Sequence, residues 1–183
     1  MHMSDGIVNA PISLLFGVIA VAALGICAWK AREELDERAV PLAGLVAAFI
    51  FAVQMVNFPI LPGVSGHLLG GALAAILVGP FTGALCVAIV LFVQALLFAD
   101  GGVSALGPNI TNMSVIGVAA GYATAVLLYR LARRWRQDVP VAAVGAISFI
   151  AAVIGTVSAA MGFVLEYSIG GASSTSLGTV ATY

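Results

Sequence analysis

Charged residues are scarce in this chain. Seven Lys and Arg and eight Asp and Glu make up 8% of the sequence, against roughly 25% in an ordinary soluble domain. With 62% of residues apolar, there is too little polar surface to cover a water-facing globule, and hydrocarbon is the solvent that suits such a chain. A net charge of -1, with no block of Lys and Arg interleaved with aromatics, excludes a nucleic-acid surface. Only two cysteines occur, Cys27 and Cys86, both inside apolar runs. They read as small core residues, without support for a disulfide or a metal cluster. No G-x-x-x-x-G-K-[ST] loop is present, so ATP is not bound by that route. No basic segment or small-residue cleavage site precedes the first apolar run, which therefore reads as a mature helix and not as a removable signal peptide. No Asp, Glu, Lys or Arg falls at the middle of a long apolar run, whereas a proton- or sodium-driven pump usually carries such a relay.

Long apolar runs are what the chain does have. A membrane-spanning helix needs about 17–25 of them in a row. Residues 7–29, 41–57, 81–98, 109–129 and 139–167 meet or approach that length, and 67–78 gives a shorter helix closed by Gly79 and Pro80. The segment 58–66 is apolar but holds Pro59, Pro62, Gly63 and Gly66. It is expected to be irregular, and such backbone survives beside a membrane only where protein buries it or a wet cavity receives it. All seven basic residues fall in two loops, Lys30, Arg32 and Arg38 in one and Arg130, Arg133, Arg134 and Arg136 in the other. With six spans both loops lie on one side, which the positive-inside rule makes cytoplasmic. The expectation is a single all-α domain over residues 1–183, a polytopic bundle of about six spans in a prokaryotic cytoplasmic membrane, with its N-terminus outside. Small residues at four-residue spacing (Gly66, Gly70, Ala74 and Gly71, Ala75, Gly79) suit close helix packing.

Histidine is as rare as cysteine. The two present, His2 and His67, fall on the same, outer side of this topology. A histidine in second place gives a metal three nitrogens in a row. The terminal amine of Met1 and the His2 amide close one chelate ring, and that amide and the imidazole close a second, fused to the first. The imidazole of His67 completes a plane of four nitrogens, an arrangement that suits Ni(II), Cu(II) and, less strongly, Co(II). Binding of this kind weakens in acid, because the amine must lose its proton. Asp5, Asn57 and Ser65 are candidates to orient the ligating groups from behind, although Asp5 equally suits a helix start and the other two suit bracing of segment 58–66. Gln54 and Gln94 read as bridges between helices, Asn109 and Asn112 as polar groups of a span entry, and Glu166 as a carboxylate solvated at the outer end of the sixth span.

Met1–Gly6 (MHMSDG), 51–59 (FAVQMVNFP), 65–73 (SGHLLGGAL) and 93–102 (VQALLFADGG), with Gly107 and 109–117, resemble the CbiM/NikM family over residues 1 to about 120, and more loosely beyond. These are substrate-specificity membrane subunits of cobalt and nickel energy-coupling-factor transporters. The resemblance places Met1, His2 and His67 at the family's metal-binding positions. It also implies a non-catalytic subunit without cofactor that captures Co²⁺ or Ni²⁺ as cargo for ATP-driven uptake, with cobalamin synthesis as one destination. The implied partners are a transmembrane coupling subunit, two cytoplasmic ATPases and a small accessory membrane subunit. The family pattern includes a further helix after the region matching 168–183, absent from this sequence. A nickel-specific uptake subunit, a stand-alone secondary transporter, an intramembrane metalloenzyme and a structural membrane protein remain alternatives on the residues alone.

Overall fold

A computed structural model describes residues 2–35, 37, 39–136 and 138–172. Its elements run β1 (His2–Met3), α1 (Ala10–Lys30), α2 (Ala39–Gln54), β2 (Phe58–Leu61), β3 (Val64–Gly66), α3 (Gly71–Val78), α4 (Pro80–Leu97), α5 (Leu106–Asn109), a π-helical stretch (Ile110–Ile116), α6 (Gly117–Trp135) and α7 (Val141–Gly170). Four helical stretches are long and apolar enough to cross a bilayer: Ala10–Glu33, Pro80–Leu97, Leu106–Trp135 and Val141–Gly170. Ala39–Gln54 is a shorter apolar helix, and α3 is only eight residues long. The chain is a multi-pass membrane protein, with helices in all six of the expected runs.

α4 is the centre of the bundle. More than half of it is buried, against 6% of the most apolar window of the first helix and 11% of that of the last. Val87 and Leu91 of α4 pack with Ala74 and Ala75 of α3, Ile50 of α2 and Val118 of α6. Between lipid and Leu there is little hydrophobic difference, so membrane helices associate by fitting backbones closely. Gly83 shows how: a Cβ there would sit 2.8 Å from the Ala75 nitrogen. α1 and α7 turn the other way, leaving Leu14, Val21 and Phe149 at least 70% exposed, as suits a face solvated by acyl chains.

The bundle has two distinct ends. At one, Lys30 ends α1 and Glu33 and Glu34 follow it, and the Glu34 carboxylate accepts hydrogen bonds from Phe81 N (3.3 Å) and Thr82 N (2.7 Å) in the first turn of α4. Pro80 opens that helix without a donor to spare, so this acidic side chain satisfies the next two orphan N–H groups and meets the positive end of the helix dipole. At the other end, segment 58–66 is a hairpin of β2 and β3 turning at Gly63 (φ +77°). Proline and glycine there break a helix but not a short, twisted strand pair. β1 joins the far side of β3 as a third strand, in order β1-β3-β2, with His2 opposite Ser65 and Met3 opposite Val64. The expected third helix starts late, at Gly71, since Gly70 takes φ +78°, and 67–70 lie outside any helix or strand.

If the sheet end is outside, as the basic residues imply, Val103→Cys in a background lacking Cys27 and Cys86 should react with a membrane-impermeant thiol reagent added to intact cells. Glu33→Cys should stay unlabelled until the cells are opened. Val103 is exposed beside the sheet end and Glu33 lies at the opposite pole. Labelling of Glu33→Cys in intact cells would invert the topology.

Candidate metal centre

Strand β1 exists because its backbone is held on both sides. Its outer neighbour is β3. Its inner neighbour is a side chain: Asn109 accepts from Met3 N–H at 2.9 Å and donates to Met3 O at 3.1 Å. The amide group thus stands where another peptide unit of a sheet would stand. Met3 O takes a further bond from Gly102 N at 2.8 Å, and Ser4 N donates to Gly63 O at 2.9 Å. Met3 itself is 1% exposed and packs with Ile7, Val8, Val64 and Phe163, so its side chain anchors the strand in an apolar pocket.

This anchoring brings the two histidines together. The His2 and His67 rings lie 4.4 Å apart between centroids, tilted by 35°, and both are buried, 3% and 8% exposed. His67 Nδ1 lies 3.1 Å from Leu68 O. A proton on Nδ1 donated to that carbonyl puts the ligating lone pair on Nε2, the usual way a second contact sets a tautomer. Burial pushes the His67 imidazole down to about 3, so the ring is neutral, and therefore a competent ligand, at any physiological pH. Among the described residues neither His2 ring nitrogen meets the geometry of a hydrogen bond, and Nδ1 lies 3.3 Å from Asp100 Oδ1. Among the described residues no group of three His, Cys, Asp or Glu side chains is arranged to hold a metal.

Asp100 was not singled out in the sequence. The His2 ring beside it, together with the Asn57 amide, which donates to Oδ2 at 3.0 Å, holds its carboxyl below the usual range. Gly101 (φ +88°) brings the loop against His2: a Cβ there would come 3.2 Å from the imidazole and 3.3 Å from Asn109 Nδ2. Of the three residues expected behind the ligands, Asn57 reaches the site through Asp100. Ser65 supplies backbone opposite His2. Asp5 turns away to Ser104, accepting from its backbone N–H at 2.7 Å and from its hydroxyl; these bonds lower its pKa, and they tie the 100–105 loop to the N-terminal segment. Met1, the expected amine donor, lies outside the described residues. Glu166 corrects an expectation: it is 0% exposed and accepts from Asn112 Nδ2 at 2.7 Å, because α7 continues to Gly170, whose carbonyl binds Asn9 N at 2.7 Å, and buries the preceding turn.

The family described as the cobalt uptake substrate-specific transmembrane region, CbiM, matches residues 2–183. The chain belongs to the CbiM family. A putative fused nickel transport protein, NikMN, from Archaeoglobus fulgidus is 43% identical over 161 residues, 88% of this chain and 50% of that protein. The cobalt transport protein CbiM of Sorangium cellulosum is 31% identical over 137 residues, 73% of this chain and 59% of that protein. A crystal structure described as a truncated transition metal transporter superposes with a TM-score of 0.81 at 31% identity, covering 91% of this chain and 73% of that one. The chain thus spans about half the length of the first of these relatives. In this CbiM-family chain the paired imidazoles lie at the sheet end of the bundle.

Proposed function

We propose that this chain is the substrate-binding membrane subunit of an ATP-driven uptake transporter, capturing Co²⁺ or Ni²⁺ at the outer face. The observation that carries the reading is the buried imidazole pair, 4.4 Å apart, with one ring on a strand that begins at the second residue. Two imidazoles alone make a poor site for either ion. Adding the peptide nitrogen of His2 and the amine of Met1 gives four nitrogens, a set suited to Ni(II) and Co(II) and poorly suited to Mg²⁺ or Ca²⁺. Asp100, beside His2 Nδ1, balances part of the ion's charge. Relatives named for nickel and for cobalt fit this donor set equally; with cobalt as cargo, cobalamin synthesis is the natural use.

Work against a gradient then falls to partners: two cytoplasmic ATPases and a membrane coupling subunit, with a small accessory membrane subunit. The chain binds and passes cargo and performs no catalysis of its own. The purified chain should bind one Co²⁺ or Ni²⁺, and His67→Ala should weaken that binding by at least the ~10–100-fold typical of losing a mere supporting contact. Cells expressing the chain alone should accumulate little metal, and co-expression of the ATPase and coupling subunits should raise uptake strongly. Concentrative uptake by the chain alone in liposomes without nucleotide would establish the secondary-transporter alternative instead.

A further inference from the structure

A second polar group lies deeper than the histidines, and nothing in the capture site uses it. Asn112 sits three residues beyond Asn109, roughly 4–5 Å farther along the helix at the usual rise per residue. Its amide N–H binds Glu166 on α7. The remaining oxygens, Asn112 Oδ1 and Glu166 Oε1, are buried and have no hydrogen-bond partner among the described residues. Both are acceptors when the carboxyl is ionised, and a buried acceptor without a donor is costly. Two further features single the place out. Ile110–Ile116 is wound as a π-helix, a rare form that is frequent at functional sites. Across from it, Gly162 leaves the room that Asn112 Oδ1 occupies: a Cβ there would come within 2.2 Å of that oxygen.

A cavity of about 200 Å³ connects the two levels. Its walls include His67 on one side and Asn112 on another, with Leu69, Met113, Ala159 and Phe163 between them. An ion released from the imidazole of His67 therefore has open space leading to the Asn112 amide, with Thr156 the other polar side chain on walls that are otherwise apolar. Glu166, bonded to Asn112, lies behind that wall and not on it, and the unpaired oxygens of the two residues are groups a cation can satisfy.

We propose that Asn112 and Glu166 form a second, oxygen-donor station for the transported divalent cation, one helical turn inward of the histidine pair. The proposal rests on the transport reading above and adds a step to it. The four-nitrogen site binds tightly and would release slowly; a neighbouring carboxylate and amide oxygen offer the ion a weaker resting place, at which it keeps part of its water shell. As the metal leaves, the His2 peptide nitrogen recovers a proton from water. The Glu166 carboxylate offsets the ion's charge where lipid and protein would otherwise oppose its passage.

Glu166→Gln tests this with little change in shape, since its new N–H₂ can bind the unpaired Asn112 oxygen. Co²⁺ titration of the purified chain should give the parent affinity within about twofold. Co²⁺ uptake by cells expressing the chain with its ATPase partners should fall about tenfold or more. Glu166→Asp, which keeps the charge, should restore most of the uptake. Parent-like uptake by Glu166→Gln would overturn the station. So would equal losses in Glu166→Gln and Glu166→Asp, or loss of resting affinity in Glu166→Gln, since each marks a packing role. Absence of Co²⁺ and Ni²⁺ binding by the parent would instead sink the transport reading itself, and the station with it.

Discussion

One residue added ahead of Met1 should abolish tight Co²⁺ and Ni²⁺ binding, and acetylation of the terminal amine should do the same. Either change turns the amine into an amide, a far poorer donor, and removes the closed end of the fused chelate. The chain cannot compensate by sliding. His2 is in register with Ser65, Met3 is clamped by Asn109 and Gly102, and the Met3 side chain is 1% exposed in an apolar pocket. A one-residue slip would put a different side chain in that pocket and turn His2 to the other face of the sheet. Every side chain of the site survives the extension, so a site made of side chains alone would bind as before. The comparison is metal content and affinity of the native-start protein against a Gly-extended one, each freed from a C-terminal tag. Equal binding would remove the amine from the ligand set.

Asn109→Leu is expected to have the next largest effect. The substitution keeps the approximate volume but takes away both bonds to Met3. Met3 O retains its bond from Gly102 N, so the principal loss is a buried, unsatisfied N–H, which costs about 1–3 kcal/mol. That strain falls on the two-residue strand carrying His2, so the melting temperature should drop and metal affinity should fall by ~10–100-fold, as for other supporting contacts. Added Ni²⁺ should raise the melting temperature of the parent clearly and that of the variant much less, because stabilisation by a ligand follows its concentration relative to its dissociation constant. A variant with the parent's melting temperature and affinity would show that the clamp is dispensable.

The helices were legible because apolar runs in a membrane protein are long and the charges between them few. Loop boundaries near Lys30, Gly79 and Arg136 follow from charge, from glycine with proline and from charge again, and the structure ends helices at or beside all three. Topology puts His2 and His67 on one side and the family resemblance pairs them, and the structure brings their rings to 4.4 Å. What stayed hidden depends on contacts distant in sequence. Nothing local marks Asn109 as the partner of Met3, 106 positions away, and an asparagine at a span entry has commoner roles. Nothing local marks Asp100 either, because its partners, His2 and Asn57, lie on other elements. Segment 58–66 was recognisably non-helical, but a hairpin offering its free edge to the first residues of the chain becomes visible only when both are in place. Glu166 was misjudged because depth was counted from the end of the apolar run, and the helix continues past it to Gly170.

The Glu34 contact bears on how this bundle can move. Gly79 ends α3 and precedes Pro80 with φ +89°, a backbone joint that would be a natural pivot between a half-length helix and the central one. The Glu34 carboxylate lies directly over it, so close that a Cβ at Gly79 would overlap the carboxyl carbon at 2.4 Å, while both carboxylate oxygens grip the next turn. The joint is therefore strapped by a residue from between the first two helices. α3 and α4 cannot fold about Gly79 independently of that loop: any change of angle there must carry the loop along or first undo its grip on Phe81 and Thr82.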